Sequence, residues 1–258
     1  HAPAFLELQR FGDVTILQCR RDDRDDDGID HSVTTTNLWT PPQVDEVAQH
    51  AADMGMDLSD VFFTGTLPVI VEGRFDLEYF QRIWPLISHV DAYTAGIRFF
   101  PAGGLPSVAG AVDNLISAVY PPETPIVVIT DNPALDYPGS QQIIDNLKQQ
   151  IPQLEVISHG AFDIWSMIPE SVLDEHRLRK QDQTWKSLER RRRRSINSQG
   201  GTGPPPPLPG KDAVLKPGSN SQWRHVLASL TASDIPNRAR DVVNRVNAIA
   251  RRPRRPNP

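Results

Sequence analysis

The sequence predicts an α/β fold, a parallel sheet with helices on both faces, followed by a flexible basic C-terminal segment with one helix. Three observations predict it. Short apolar runs bounded by turn residues alternate with helical-period segments between residues 67 and 158, the pattern of buried parallel strands joined by crossover helices. Charge is divided along the chain: residues 1–175 carry 8 Lys and Arg against 27 Asp and Glu, and residues 176–258 carry 19 against 5. The 258 residues include 24 prolines and only 38% hydrophobic side chains, too few apolar groups to draw the whole length into one core.

The elements follow in order. Val14-Thr15-Ile16-Leu17 reads as a strand and residues 22–30 as an acidic loop. Asp23 to Gly28 has the look of a calcium loop, but Thr34 stands where the twelfth-position glutamate belongs, so an exposed hairpin loop is expected. Residues 43–54 suit a short helix with Val44, Val47, Ala48 and Ala51 on one face. Leu67 to Val71 is the first strand of the regular part and ends at Glu72-Gly73. Leu77, Phe80, Trp84 and Ile87 then recur at helical spacing. Ile97 to Phe100 is the second strand, closed by Pro101 and Gly103-Gly104, and a helical stripe runs from Leu105 to Val119. Pro125 to Asp131 is the third strand, Ile143, Ile144 and Leu147 mark the third helix, and Leu154 to Ser158 is the fourth strand.

After about residue 178 the alternation stops. Arg190 to Arg194 are five consecutive arginines, which suit either a solvated helix or nonspecific contact with DNA phosphates. Gly200 to Pro209 is rich in glycine and proline, an extended linker composition. From Asp234 an amphipathic helix is expected, with Pro236 in its first turn and Ala239, Val242, Val243, Val246 and Ile249 on its stripe. The organisation expected is therefore 1–60 as a connector, 61–178 as the α/β domain, 179–232 as a basic linker, and 233–258 as a helix with a basic tail.

Some classes are disfavoured. The single Cys19 excludes an intramolecular disulfide framework and a cysteine-based zinc site, so the reducing cytoplasm is the expected compartment. No run of 18 apolar residues suggests a membrane span, and no membrane partner is expected. A chain that opens on His1 without a leader pattern is expected to be a piece of a longer protein.

Candidate chemistry gathers at the strand ends. Glu72 and Asp131 end the first and third strands, which are neighbours in a sheet of order 2-1-3-4, and ligands bind outside such ends. Asp76, four residues after Glu72, can turn back from the first helical turn, or simply cap its helix. Asp163 follows the fourth strand at the same rim. Carboxylates brought together repel unless a proton or metal lies between them, and hard oxygen donors suit Mg²⁺ or Mn²⁺.

Val69-Ile70-Val71-Glu72-Gly73-Arg74-Phe75-Asp76 and Val127-Val128-Ile129-Thr130-Asp131 resemble the two motifs of the Toprim domain. Within that group the chain is similar to the OLD (overcoming lysogenization defect) family of ATP-dependent nucleases. Phe100-Pro101-Ala102-Gly103-Gly104, the segment Phe162 to Glu170, and Asp60-Val61-Phe62-Phe63 carry the further likeness. His1 to Leu6 resembles a segment near the end of the attached ABC-type ATPase domain, whose histidine contacts the γ-phosphate; this makes residues 1–60 the remnant of that domain. No Gly-x-x-x-x-Gly-Lys-Ser/Thr loop is present, so ATP is expected to act only through an upstream half.

The resemblance implies metal-dependent cleavage of DNA, with Glu72, Asp76, Asp131 and Asp163 as metal ligands, Glu72, Asp131 and Lys211 as catalytic residues, and assembly as a homo-oligomer through the ATPase half. The sequence departs from the family at Pro133, where the second aspartate of Asp-x-Asp is expected; Asp136 is the loop carboxylate offered in its place. Asp163 replaces a glutamate, and Ala161 a serine. Pro133 also leaves open a non-enzymatic alternative, a degenerate Toprim module serving regulation or assembly beside an ATPase.

Overall fold

The computed structural model describes residues 16–24, 31–39, 49, 67–113, 120, 124–136, 139–197 and 208–251. Ile16–Arg24 (β1) and His31–Trp39 (β2) form an antiparallel hairpin, in register from Ile16 opposite Trp39 to Arg24 opposite His31. The ladder thus continues through Asp22 and Asp23, further than the strand read from the sequence. Gln49 apart, the helix expected over 43–54 lies outside the described residues, as does His1.

Leu67–Val71 (β3), Ile97–Pro101 (β4), Ile126–Thr130 (β5) and Leu154–Ser158 (β6) make an all-parallel sheet in the order β4-β3-β5-β6. This is the expected 2-1-3-4 order. Every residue of β3 and β5 is buried, so the two central strands are covered on both faces, which is why they read as continuous apolar runs. Val69, Val71, Val127 and Ile129 enter the main core with Tyr79, Phe80, Ile83 and Trp84 of Arg74–Ser88 (α1). Leu105–Ser107 forms a 3₁₀ turn and Val108–Ala111 (α2) opens the helix expected in the second crossover, of which residues 114–119 lie outside the described residues. Ile144 and Leu147 of Ser140–Gln150 (α3) are buried outside the main core, as a crossover helix on the opposite face requires.

The segment 179–232, read from the sequence as a linker, is substantially folded in its described residues. Glu170–Glu175 (α4) precedes it, and Trp185–Asn197 (α5), Trp223–Ser229 (α6) and Asn237–Ala250 (α7) follow, three helices where one was expected. The apolar side chains here are sparse but large. Trp223 is 1% exposed, with its ring centroid 4.5 Å from Trp165 and 5.3 Å from Phe75. Arg82 of α1 donates to the carbonyls of Leu227, Ala228 and Leu230 at 2.9, 3.1 and 2.9 Å, so a single guanidinium satisfies the exposed C-terminal end of α6. Lys180 N–H to Val214 (2.7 Å) and Lys216 N–H to Leu178 (2.9 Å) flank a bridge between Arg179 and Leu215 and hold residues 211–216 against the domain. In α7 the stripe from Ala239 to Ile249 is buried as expected. Among the described residues no helix is long and apolar enough to cross a membrane.

Candidate metal centre

The site forms where the chain leaves β3, β5 and β6. Parallel pairing of Val71 with Ile129 brings the two strand ends together, with Glu72 one residue and Asp131 two residues beyond the paired positions. Glu72 Oε1 accepts the Asp131 backbone N–H at 2.9 Å. The backbone of Glu72 is fixed in turn by the Gly103-Gly104 turn: Gly104 N–H donates to the Glu72 carbonyl at 2.6 Å. With φ of 81° and 115° the two residues occupy a region where side chains are strained, which accounts for the glycine pair.

Asp76 occupies the first turn of α1 and accepts the Gly73 N–H through Oδ2 at 3.1 Å. The capping reading of Asp76 therefore holds, and the same side chain also faces the crevice. Asp76, Asp131 and His159 present ligand atoms that all lie within 4.8 Å of one another, a grouping that can hold a metal ion. His159 is the first residue after β6 and is fully buried, with Nε2 2.9 Å from Asp131 Oδ1 but off hydrogen-bond alignment. Its Nδ1 accepts the Ala161 N–H at 3.2 Å. That bond leaves the ring proton on Nε2, facing Asp131, so in this tautomer the imidazole offers no lone pair and the donors available to a cation are the carboxylates.

Asp163 caps the turn after β6, with Oδ1 accepting the Trp165 N–H at 2.8 Å, while Oδ2 is 4.0 Å from Lys211 Nζ. Lys211 Nζ also sits 5.2 Å from the centre of the Phe75 ring. The structure thus brings Glu72, Asp76, Asp131, Asp163 and Lys211 to one rim, although Lys211 is 48 residues further along the chain than Asp163. Asp136 is turned elsewhere: Oδ2 accepts the Ser140 hydroxyl at 2.7 Å and Oδ1 lies 3.9 Å from Arg192 Nη2. Its charge still acts on Asp131 and Glu72, but its oxygens are not among the ligand atoms grouped with Asp76, Asp131 and His159.

Electrostatics match a cluster short of positive charge. Burial, then the Asp131 charge, pushes Glu72 up to about 7. Burial and Asp131 likewise raise Asp76 to about 7. Burial, then Asp163 and Asp136, raises Asp131 to about 8, against the opposing pull of Arg192 and Lys211. Burial raises Asp163 too, with Lys211 opposing. Burial lowers His159 to about 4, so it is neutral at pH 7. Sequence reasoning missed His159, yet Ser158-His159-Gly160 carried the same signal as Glu72 and Asp131, a polar residue directly after an apolar strand. No family model matches this chain, and neither does any curated protein or solved structure.

Proposed function

We propose that this chain cleaves DNA phosphodiester bonds at the crevice outside β3 and β5, in the presence of Mg²⁺ or Mn²⁺. The observation that carries the reading is the convergence of Glu72, Asp76 and Asp131 at the switch point of a parallel sheet. Their oxygen donors, buried and crowded enough to hold protons near neutrality, fit a hard divalent cation. When bound, such an ion supplies a water of lowered pKa and neutralises charge on the attacked phosphate.

The chain's own groups do the rest. Glu72 and Asp76 are held by backbone N–H donors, so their free oxygens are aimed without a further ordering cost. His159 keeps a ring proton on the nitrogen 2.9 Å from Asp131, beside the carboxylate it faces. Lys211 places an ammonium at the rim, where it stabilises developing negative charge on a phosphate oxygen. The likeness of the two motifs to OLD-type Toprim nucleases supports the same reading. An ATPase half, with ATP and oligomerisation through it, belongs to the proposal and would reside upstream.

A second reading has its own observation. Pro133 contributes no carboxylate and Asp136 is engaged with Ser140 and Arg192, which favours a degenerate module that regulates or assembles without cleaving. Conversion of supercoiled plasmid to nicked circles by the purified protein separates the two. Nicking that requires Mn²⁺ or Mg²⁺, stops with chelator and is lost in Glu72→Ala supports the nuclease. Nicking that survives Glu72→Ala contradicts it. Absence of nicking in any metal, with the upstream half restored, favours the second reading.

A further inference from the structure

We infer that the outer face of α5 seats the phosphate backbone of duplex DNA beside the carboxylate crevice, an inference whose choice of DNA rests on the nuclease reading above. The arginine run is not one uniform basic patch. In α5 the buried residues are Trp185, Leu188 and Arg192, a three-and-four spacing that defines the inner face. Arg190 and Arg194 stand two positions either side of Arg192, about 200° round the helix from it, and both are exposed. Lys186, Arg190, Arg193 and Arg194 are all exposed and form one outward stripe roughly 12 Å long at 1.5 Å per residue. Arg191 lies on the other flank and donates to Gln183 Oε1 at 3.2 Å.

Arg192 ties that stripe to the site. Its Nε donates to the Leu135 carbonyl at 2.5 Å and its Nη1 to the Pro209 carbonyl at 2.9 Å. The guanidinium lies 5.0 Å from the centre of the Phe162 ring, and Nη2 is 3.9 Å from Asp136 Oδ1. Leu135 and Asp136 belong to the loop that begins at Asp131, and Phe162 immediately precedes Asp163. One buried arginine therefore anchors α5 to both loops that bear the candidate ligands, and its four cationic helix-mates face solvent in a row.

Charge complementarity selects the occupant. The carboxylate crevice alone repels phosphates, so a polyanionic substrate needs attraction supplied nearby. A row of four cations on the helix that Arg192 anchors to both ligand loops provides it for a linear array of phosphates. Contacts of this kind carry no base readout, so binding through α5 is sequence-independent.

The test is fluorescence anisotropy of a labelled DNA duplex with the full chain, over a series of salt concentrations. Three proteins are compared: wild type, the triple variant Arg190→Gln, Arg193→Gln, Arg194→Gln, and a charge-matched control, Lys148→Gln, Arg245→Gln, Arg251→Gln, which removes three exposed cations outside α5. The slope of log affinity against log salt is expected to flatten by up to about 2.7 in the triple variant, 0.9 for each lost phosphate contact, and to stay near wild type in the control. Equal flattening in both would mean diffuse attraction, and an unchanged slope in the triple variant would place DNA elsewhere; either result overturns the inference. Binding of phosphatidylserine vesicles that depends on these arginines, with DNA binding unaffected by them, would also overturn it. Plasmid nicking reads the nuclease proposal separately: nicking can persist when the α5 slope test fails, and DNA can bind through α5 when nicking is absent.

Discussion

Raising the pH from 6.5 to 8 in chelator should destabilise the protein, and a divalent ion should remove the loss. Glu72, Asp76 and Asp131 have folded-state pKa values of about 7, about 7 and about 8, against about 4 for carboxyl groups in an unfolded chain. An acid whose folded pKa is raised binds its proton more tightly when folded. Its stabilising contribution is therefore complete below the unfolded value and is lost as pH rises through the folded one. His159 has the opposite sign: its folded value of about 4 lies below the unfolded value of about 6.5, so it costs stability as pH falls through the acidic range. Above pH 6.5 that opposing term is small, which makes 6.5–8 the informative window. Across it the three acids together lose roughly 3 kcal/mol, about half of it at Asp131, whose folded value is the highest. Urea unfolding followed by tryptophan fluorescence at each pH measures it. Asp131→Asn should remove about half of the loss, and Mg²⁺ or Mn²⁺ at saturating concentration should offset it, since an ion a hundredfold above its dissociation constant stabilises by about 2.7 kcal/mol. Stability that rises over this window in chelator, or a slope unchanged in Asp131→Asn, would refute the electrostatic reasoning.

Other expectations concern packing and the ligand set. Trp223→Ala should cost about 3–5 kcal/mol in urea unfolding, because the indole fills a fully buried position against Trp165 and Phe75; a cost near zero would restore the linker reading of this segment. Arg192→Leu should cost about 2–3 kcal/mol, since it strands the Leu135 and Pro209 carbonyls and Asp136, whereas Arg194→Leu should be neutral within about 0.5 kcal/mol. Pro133→Asp should raise plasmid nicking by returning a carboxylate to the turn after Asp131; unchanged nicking in a folded variant would show that this position does not reach the site.

The α/β core was legible because its physics is local. Five-residue runs such as Leu67–Val71 and Ile126–Thr130, buried on both faces, leave little alternative to central parallel strands, and the order of their connections follows from crossover geometry. The strand-end acids were legible for the same reason, being neighbours once the order is known. What escaped depends on long-range contacts. Composition made 179–232 look like a linker, because arginines and prolines outweigh the buried Trp185, Leu188 and Trp223, and the two tryptophans pack on Phe162, Trp165 and Phe75 from outside the segment. Arg192 cannot be told from Arg191 or Arg193 by residue type; only the helix phase set by Trp185 and Leu188 turns it inward. His159 was missed because its surroundings are set by an Ala161 N–H two residues on and by Asp131 from the neighbouring strand, not by any spacing in the sequence.

The claim that the strand-end carboxylates form a divalent-cation site is tested most directly by titrating Mn²⁺ into the metal-free chain and following free Mn²⁺ by electron paramagnetic resonance. Saturable binding is expected at pH 8, weaker at pH 6 where protons compete for the same oxygens, and lost in Asp131→Asn and Glu72→Gln. Substituting the acids Asp91 and Asp174, which lie outside the crevice and are held by Thr94 and Arg179, should leave it intact. Binding that persists in Asp131→Asn, or the absence of any saturable site in the wild type, would contradict the assignment.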